Sequence, residues 1–189
     1  MTDSPLAILM TGAPASGKST TAAELARITG AAVLDQDSMT NPLVDVIAGV
    51  TGAADYGDPR VAALTRDARY ECLLQVACDC LRSGVSVILI APFTSERADP
   101  AAWERLEARL ADAGGGVRMV WIRLHPDVIV ERLVSRGAAR DAGKISDTAS
   151  YLATLNLEAP VAPHHEVDGT LAADAQAARI AAALDAPST

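Results

Sequence analysis

Residues Gly12–Ser19, with the sequence GAPASGKS, match the pattern G-x-x-x-x-G-K-[ST] in full. The match follows an apolar, strand-like run over Leu6–Thr11 and opens a helical pattern over Lys18–Ile28. A strand, a glycine turn and a helix N-terminus in this order form an anion cradle, because backbone N–H groups and the positive end of the helix dipole face one point. The alternative is a chance glycine turn, but the flanking strand and helix favour a loop that binds the phosphates of a nucleoside triphosphate.

The residue types inside this loop predict separate tasks. Gly12 permits the turn, and Gly17 lets the backbone approach the phosphates. Lys18 reaches the β- and γ-phosphates, and the Ser19 hydroxyl can ligate Mg²⁺. The predicted nucleotide-binding set in this part of the chain is Gly12, Ala13, Pro14, Ala15, Ser16, Gly17, Lys18, Ser19 and Thr20.

Length and composition limit the other functions open to the chain. Its 189 residues suit one domain, 1–189, with a single core. The net charge is −8, and aromatic residues are scarce, at two Trp, three Tyr and one Phe. Proteins that track a nucleic-acid backbone usually carry a basic surface and stack bases on aromatic side chains. We therefore expect no nucleic-acid partner.

The sequence also indicates a cytoplasmic protein. No stretch reaches the roughly 20 apolar residues that span a membrane, and residues Met1–Pro5 carry no basic segment ahead of the first apolar run. Cys72, Cys78 and Cys80 lie in one helical pattern with spacings that suit ordinary thiols better than a metal site. We expect neither a membrane partner nor a disulfide.

Strand and helix patterns alternate along the whole chain. This alternation predicts an α/β fold whose parallel sheet is covered by helices on both faces. The predicted strands cover 6–11, 31–34, 85–91, 117–124 and 165–168, and the predicted helices cover 18–28, 42–50, 60–82, 100–113, a segment from 126, and 171–184.

Two carboxylates follow the second predicted strand. If the strand end stays extended, Asp35 and Asp37 project to the same side. They would then meet at the carboxyl edge of the sheet, where open α/β sheets bind ligands. Neighbouring negative charges need a cation or a hydroxyl donor between them, so the pair suits Mg²⁺ and an alcohol. The alternative is that both residues are solvated and cap the next helix.

A basic segment follows the fourth predicted strand. Spacings of four place Arg132, Arg136 and Arg140 along one helix face, and Lys144 follows them. A break at Gly137 would let the later cations move as a lid that neutralises charge on a transferred phosphoryl group. A solvated basic helix face is the alternative.

In order and spacing the chain resembles the small P-loop kinases, an AAA_33-like group that includes shikimate and gluconate kinases, chloramphenicol phosphotransferase and zeta-toxin-like kinases. The loop, the Asp35-Gln36-Asp37 segment and the Arg132–Lys144 segment carry the resemblance. It implies a P-loop NTPase fold with a five-stranded parallel sheet of order 2-3-1-4-5 and an Arg-containing lid over about 132–146. It further implies that Asp35 lies on the metal side with Ser19, and that Asp37 faces the substrate hydroxyl.

One feature departs from many P-loop enzymes. The third predicted strand ends in Ile90-Ala91-Pro92-Phe93, where a Walker B aspartate commonly holds Mg²⁺ through water. This makes a motor-type ATPase less favoured, and it leaves Mg²⁺ to Ser19, the phosphates, water and Asp35. Glu96 is a weaker metal candidate, and capping of the next helix is its alternative role.

These residues together predict in-line transfer of a γ-phosphoryl group from ATP or GTP to a hydroxyl of a small molecule. Asp37 would orient the hydroxyl and accept its proton, while Lys18, Mg²⁺ and the lid arginines would stabilise charge. The catalytic set is Asp37, Lys18, Arg136 and Arg140, and Arg132 and Arg136 join the nucleotide-binding set.

The acceptor is expected to bind the segment at about 39–70. Its candidate ligands, besides Asp37, are Tyr56, Arg66, Arg69 and Tyr70. Sugars, nucleosides and hydroxylated natural products suit such a mixture, and the resemblance to chloramphenicol phosphotransferase adds self-resistance by antibiotic phosphorylation. A polynucleotide kinase and a nucleotide-dependent regulatory ATPase remain alternatives, and a homodimer is left open.

Overall fold

The strands form one parallel sheet in the order β2-β3-β1-β4-β5, which confirms the predicted fold class and strand order. The computed structural model describes residues 4–53, 58–136 (without the side chain of Arg136) and 148–184. The strands are β1 (Leu6–Gly12), β2 (Ala32–Asp35), β3 (Val87–Ile90), β4 (Gly116–Arg123) and β5 (His165–Asp168). The helices are α1 (Lys18–Thr29), α2 (Gln36–Thr51), α3 (Pro59–Arg82), α4 (Thr94–Ala98), α5 (Pro100–Asp112), α6 (Pro126–Arg136), α7 (Thr148–Thr154) and α8 (Ala173–Leu184).

Strand β1 is the centre of the sheet. Leu9 lies opposite Leu89 of β3 on one side and opposite Met119 of β4 on the other. Alternate residues of a strand point to opposite faces. Accordingly, Ala7 and Leu9 belong to one buried cluster, and Ile8 and Met10 belong to another. A continuous apolar strand is what a sheet covered on both faces requires.

Each face of the sheet is covered by its own pair of helices. The first cluster packs α3 and α5 on the sheet through Leu73, Leu81 and Leu110. The second packs α1 and α8 on the opposite face through Leu25 and Ile180. In the described part of the chain, no helix is both long and apolar enough to cross a membrane.

Helix α2 begins six residues before its predicted start at Pro42, so the expectation of an extended segment through Asp37 is wrong. Asp35 is the N-cap of α2, and its Oδ1 accepts the N–H groups of Asp37 at 2.9 Å and Ser38 at 3.4 Å. Side-chain caps of this kind supply an acceptor for the first N–H groups of a helix, which have none inside it. Pro42, the predicted start of this helix, lies inside it.

The segment after β3 also differs from expectation. It forms a short helix, α4, that was not predicted, and α7 was not predicted either. Glu96 lies within α4 and does not cap the next helix. Asp99 caps α5 instead, because its Oδ1 accepts the N–H of Ala101 at 2.9 Å.

Helices α1 and α8 are joined by a buried polar contact. Thr21 Oγ1 donates to Gln176 Oε1 at 2.9 Å, and Gln176 Nε2 donates to the carbonyl oxygen of Leu171 at 2.8 Å. Both side chains are almost fully buried. This contact fixes the helix that follows the glycine loop against the last helix of the chain.

We expect Thr21→Val to lower the free energy of unfolding by about 1–3 kcal/mol, because the Gln176 amide oxygen would be buried without its donor. Urea unfolding would measure the change. Thr29→Val is a matched control at the exposed end of the same helix, with an expected change within about 0.5 kcal/mol. Equal effects of both substitutions would contradict the structural role of the buried contact.

Candidate active site

The glycine loop turns at the carboxyl end of β1, and two of its residues can only be glycine without strain. At Gly12, a Cβ atom would lie 2.6 Å from the carbonyl oxygen of Ile122 in the neighbouring strand. At Gly17, the N-cap of α1, φ is +96°, a region that L side chains rarely adopt. The loop therefore lies close against β4 and opens directly into the first turn of α1.

Lys18 lies over the loop that carries it. Its Nζ donates to the carbonyl oxygens of Gly12 at 2.9 Å and Ala13 at 2.8 Å. An ammonium group has three donors on a flexible stem. The same group can therefore exchange these carbonyl contacts for phosphate oxygens without a change in the backbone.

Ser19 and Asp35 are in direct contact. The Ser19 hydroxyl donates to Asp35 Oδ2 at 3.0 Å, while Asp35 Oδ1 caps α2. A hydroxyl and a carboxylate side by side are oxygen ligands of the kind that Mg²⁺ accepts. The described residues contain no group of three or more His, Cys, Asp and Glu that could hold a metal ion. The donor set fits an ion that takes its remaining ligands from phosphates and water, which is how Mg²⁺ usually binds at such sites.

Asp37 lies in the first turn of α2, and its carboxylate is bound by an arginine of α3. Its Oδ1 accepts from Arg69 Nη2 at 2.6 Å. Arg69 Nε also donates to Thr40 Oγ1 at 2.8 Å, and Nη2 donates to Asn41 Oδ1 at 2.8 Å. The Asp37 side chain is 63% exposed, whereas that of Arg69 is only 18% exposed. The guanidinium of Arg69, a predicted acceptor ligand, is thus engaged with the predicted base.

Most of the predicted phosphate and metal residues line one cavity of about 640 Å³, whereas Ala13 and Ser16 are buried and do not line it. Its volume is within the range of small-molecule sites. Asp35 and Asp37 both face it, so their predicted proximity holds even though the extended backbone does not. The lining is Gly12, Pro14, Ala15, Gly17, Lys18, Ser19, Thr20, Asp35, Gln36, Asp37, Ile90, Ala91, Pro92 and Arg132.

A second cavity of about 470 Å³ adjoins the first and shares Gln36 and Pro92 with it. The structure brings three predicted acceptor residues together here, namely Arg66, Arg69 and Tyr70. Tyr56 lies outside the described residues. The other lining residues are Ala62, Asp67, Glu71, Leu74, Thr94, Ser95 and Glu96.

Tyr70 and Glu96 form the wall that α3 and α4 share. The Tyr70 hydroxyl oxygen accepts the N–H of Phe93 at 2.6 Å, and its ring meets the Phe93 ring edge-on at 6.0 Å. Burial, with the nearby Glu96 carboxylate, raises the pKa of Tyr70 and keeps its hydroxyl protonated. Burial likewise raises the pKa of Glu96, whose Oε2 has no hydrogen-bond partner among the described residues. The sequence interpretation offered Glu96 only as a metal ligand or a cap and missed its place in this cavity.

Arg132 ties the glycine loop to the end of β5. Its Nη2 donates to the carbonyl oxygen of Gly169 at 2.8 Å, and its Nη1 donates to those of Ala15 at 3.3 Å and Ser16 at 3.4 Å. Arg136 is the last residue of α6, and its side chain is not described. The predicted lid residues Arg140 and Lys144 lie outside the described residues, so their roles remain predictions.

Comparisons with known proteins agree with this geometry. The family model AAA_33, described as an AAA domain, matches residues 8–156. A candidate kinase from Chloroflexus aurantiacus is 22% identical, with a TM-score of 0.68 and 96% of each chain covered. A gluconokinase from Sinorhizobium meliloti is 21% identical, with a TM-score of 0.55 and 96% of each chain covered. A tunicamycin resistance protein from Deinococcus radiodurans is also 21% identical, with a TM-score of 0.56 and 97% of each chain covered.

These structural neighbours establish the P-loop NTPase fold. No curated protein matches the chain by sequence. The fold and the family match confirm the predicted resemblance to the small P-loop kinase group.

We expect Lys18→Ala to weaken binding of a triphosphate by roughly 10- to 100-fold, because it removes a charge-assisted contact to phosphate oxygens. Titration of a fluorescent ATP analogue would measure this without any need for catalysis. Arg27→Ala is the control, since Arg27 lies in the exposed last turn of the same helix and pairs with Glu24. Unchanged affinity in Lys18→Ala would exclude the loop as the phosphate site.

We expect Glu96→Gln to stabilise the fold at neutral pH. A carboxyl group whose pKa is raised by folding supports the folded state below its ordinary value, here 4.5, and loses that support as the pH rises through the folded pKa. The gain from Glu96→Gln should therefore be present at pH 7 and vanish near pH 4 in urea unfolding. Glu107→Gln, at an exposed position of α5, is the matched control. A Glu96→Gln gain independent of pH would contradict the burial effect.

Proposed function

We propose that this chain, which belongs to the family described as an AAA domain, is a phosphotransferase that moves the γ-phosphoryl group of ATP or GTP to a hydroxyl group of a small molecule. The observation that carries this proposal is the pair of adjoining cavities that share Gln36 and Pro92. Hydrolysis itself needs no second cavity, because its acceptor is water. A transferase requires one, because donor and acceptor must be bound together for in-line transfer.

The first cavity is assigned to the donor. Lys18 and the loop N–H groups bind the phosphates, and Ser19 with Asp35 would hold Mg²⁺. Bound Mg²⁺ neutralises charge on the phosphate oxygens. Arg132 holds the loop in shape through its contacts with Ala15 and Ser16, and Arg136 and Arg140 are assigned to the transferred phosphoryl group.

Asp37, which lines the first cavity next to the shared residue Gln36, is assigned to the acceptor hydroxyl. The hydroxyl oxygen forms a bond to the γ-phosphorus, and the bond from phosphorus to the leaving nucleoside diphosphate breaks with its electron pair on the diphosphate. The hydroxyl proton passes to Asp37. An aspartate is too weak a base to deprotonate a free alcohol in advance, so Asp37 orients the hydroxyl and takes the proton late in the step.

The second cavity is assigned to the body of the acceptor. Its uncharged Tyr70 hydroxyl, its Glu96 carboxylate and its Arg66 guanidinium offer both donors and acceptors of hydrogen bonds. Such a lining suits a compound with several hydroxyl groups, such as a sugar, a nucleoside or a hydroxylated antibiotic. Phosphorylation of an antibiotic in self-resistance is one case of this proposal, and the tunicamycin resistance protein of the same fold supports it as a case to test.

A phosphorylation screen tests the proposal. The protein, Mg²⁺ and ATP or GTP would be incubated with pooled sugars, nucleosides and hydroxylated antibiotics, and in parallel with a single-stranded oligonucleotide, and products would be read by mass spectrometry. A small molecule heavier by one phosphoryl group, absent with Lys18→Ala, is the expected result. Phosphate alone from every pool would favour a regulatory ATPase, and a phosphorylated oligonucleotide alone would favour a polynucleotide kinase.

We expect Asp37→Asn to lower kcat for transfer by about 100-fold or more, because an amide cannot accept the proton. Affinity for the triphosphate should stay within about twofold, since the phosphate contacts are unchanged. Steady-state kinetics and nucleotide titration would separate the two effects. Asp45→Asn, an exposed site on the same helix, is the matched control. Near-normal transfer by Asp37→Asn would remove Asp37 from this role.

A further inference from the structure

We propose that Arg69, which lines the second cavity, is a positioning residue that fixes the Asp37 carboxylate of the first cavity, and that it does not bind the acceptor. The proposal rests on the proposed function, because it assigns Arg69 a role through Asp37. It replaces the sequence-based expectation that Arg66 and Arg69 serve alike as acceptor ligands.

The contacts of Arg69 all lead to one stretch of α2. From α3 its guanidinium donates to Asp37 Oδ1 at 2.6 Å, to Thr40 Oγ1 at 2.8 Å and to Asn41 Oδ1 at 2.8 Å. These acceptors are at positions i, i+3 and i+4 of a helix and so lie on one face. A planar, forked cation matches such a set of oxygens, and a lysine ammonium would not reproduce its geometry.

Asp37 has no other side-chain partner among the described residues. Its own backbone N–H is held by Asp35, but its carboxylate is 63% exposed on the first turn of the helix. An exposed carboxylate without a partner rotates among several χ1 wells. A proton acceptor must be held close to the reactive geometry, and a displacement of about 1 Å can lower a rate by about 100-fold.

Arg66 provides the contrast. It lies one helical turn before Arg69 and lines the same second cavity. Within the described residues it forms no hydrogen bond or ion pair with another side chain, and it interacts with Tyr70 only through its charge. Of the two arginines, Arg66 is therefore the one whose donors remain for an acceptor, and Arg69 belongs to the machinery that orients the base.

A double-mutant cycle on the full-length protein tests this assignment. Arg69→Gln is measured alone and together with Asp37→Asn, with the acceptor that the screen identifies, or with water as acceptor in ATP hydrolysis where no acceptor is found. We expect Arg69→Gln alone to lower kcat by about 10- to 100-fold with little change in the acceptor KM. In the Asp37→Asn background the same substitution should change kcat by less than about twofold, because Arg69 acts through Asp37.

Two further variants complete the design. Arg69→Lys keeps the positive charge but loses the planar, forked set of N–H donors. It should therefore recover only part of the kcat that Arg69→Gln loses. Arg82→Gln makes the same change at an exposed site near the end of the same helix, and it should leave kcat unchanged. Melting temperatures of all variants identify any that fail to fold. If Arg69→Gln fails to fold, Arg69→Lys is the variant that tests the proposal.

Each remaining outcome has a distinct meaning. A raised acceptor KM with normal kcat, in both the wild-type and Asp37→Asn backgrounds, would overturn the proposal and make Arg69 an acceptor ligand. A normal kcat and KM in Arg69→Gln, while Asp37→Asn is impaired, would also overturn it. If Asp37→Asn itself retains normal transfer and hydrolysis, the proposed function fails first, and this is a different result from either of the others.

Discussion

The Asp35 carboxylate joins the two halves of the candidate site. One oxygen accepts the Ser19 hydroxyl at 3.0 Å, and the other caps the helix that carries Asp37. Through one side chain the first turn of α1, with the phosphate loop, is set against the first turn of α2, with the predicted base. Both helices follow strands of the same parallel sheet, so their N-termini meet at one edge. The distance between the glycine loop and Asp37 is thus set by the sheet and held by Asp35.

The sequence was sufficient where local pattern decides structure. The glycine turn between β1 and α1, the five strands and the apolar central strand have strong local signals and were predicted, whereas the short helices α4 and α7 were not. It was insufficient where contacts are distant along the chain. Arg69 and Asp37 are 32 residues apart, and no local pattern distinguishes Arg69, which holds Asp37, from its neighbour Arg66, which lines the second cavity. The start of α2 was missed because an aspartate cap and an internal proline give opposite signals, and the cap prevailed.

Few of the charged side chains that line the second cavity remain available to contact a ligand. Arg69 is engaged with Asp37, and Glu71 is held by Arg109 through two contacts of 2.7 Å, which lower the pKa of Glu71 to about 2. The charged side chains of this cavity without such a partner in the described part of the chain are Arg66, Asp67 and Glu96. One cation against two acids does not favour an acceptor with several negative charges. The balance agrees with a neutral compound rich in hydroxyl groups.

Contacts from β1 and α3 hold the segment after β3, where many P-loop enzymes carry a metal-binding aspartate. Thr11 Oγ1 of β1 donates to the Pro92 carbonyl oxygen at 3.1 Å, and Tyr70 of α3 accepts the Phe93 N–H. Phe93 has a φ of +48°, an unusual value for a bulky residue, and its side chain is fully buried. Packing and two hydrogen bonds therefore hold a backbone that would not adopt this shape alone. Since Pro92 lines both cavities and Tyr70 lines the second, this segment serves as a common wall between the glycine loop and α3. The strand end that binds metal in many P-loop enzymes is here part of the wall between two cavities, which agrees with the proposed transfer between them.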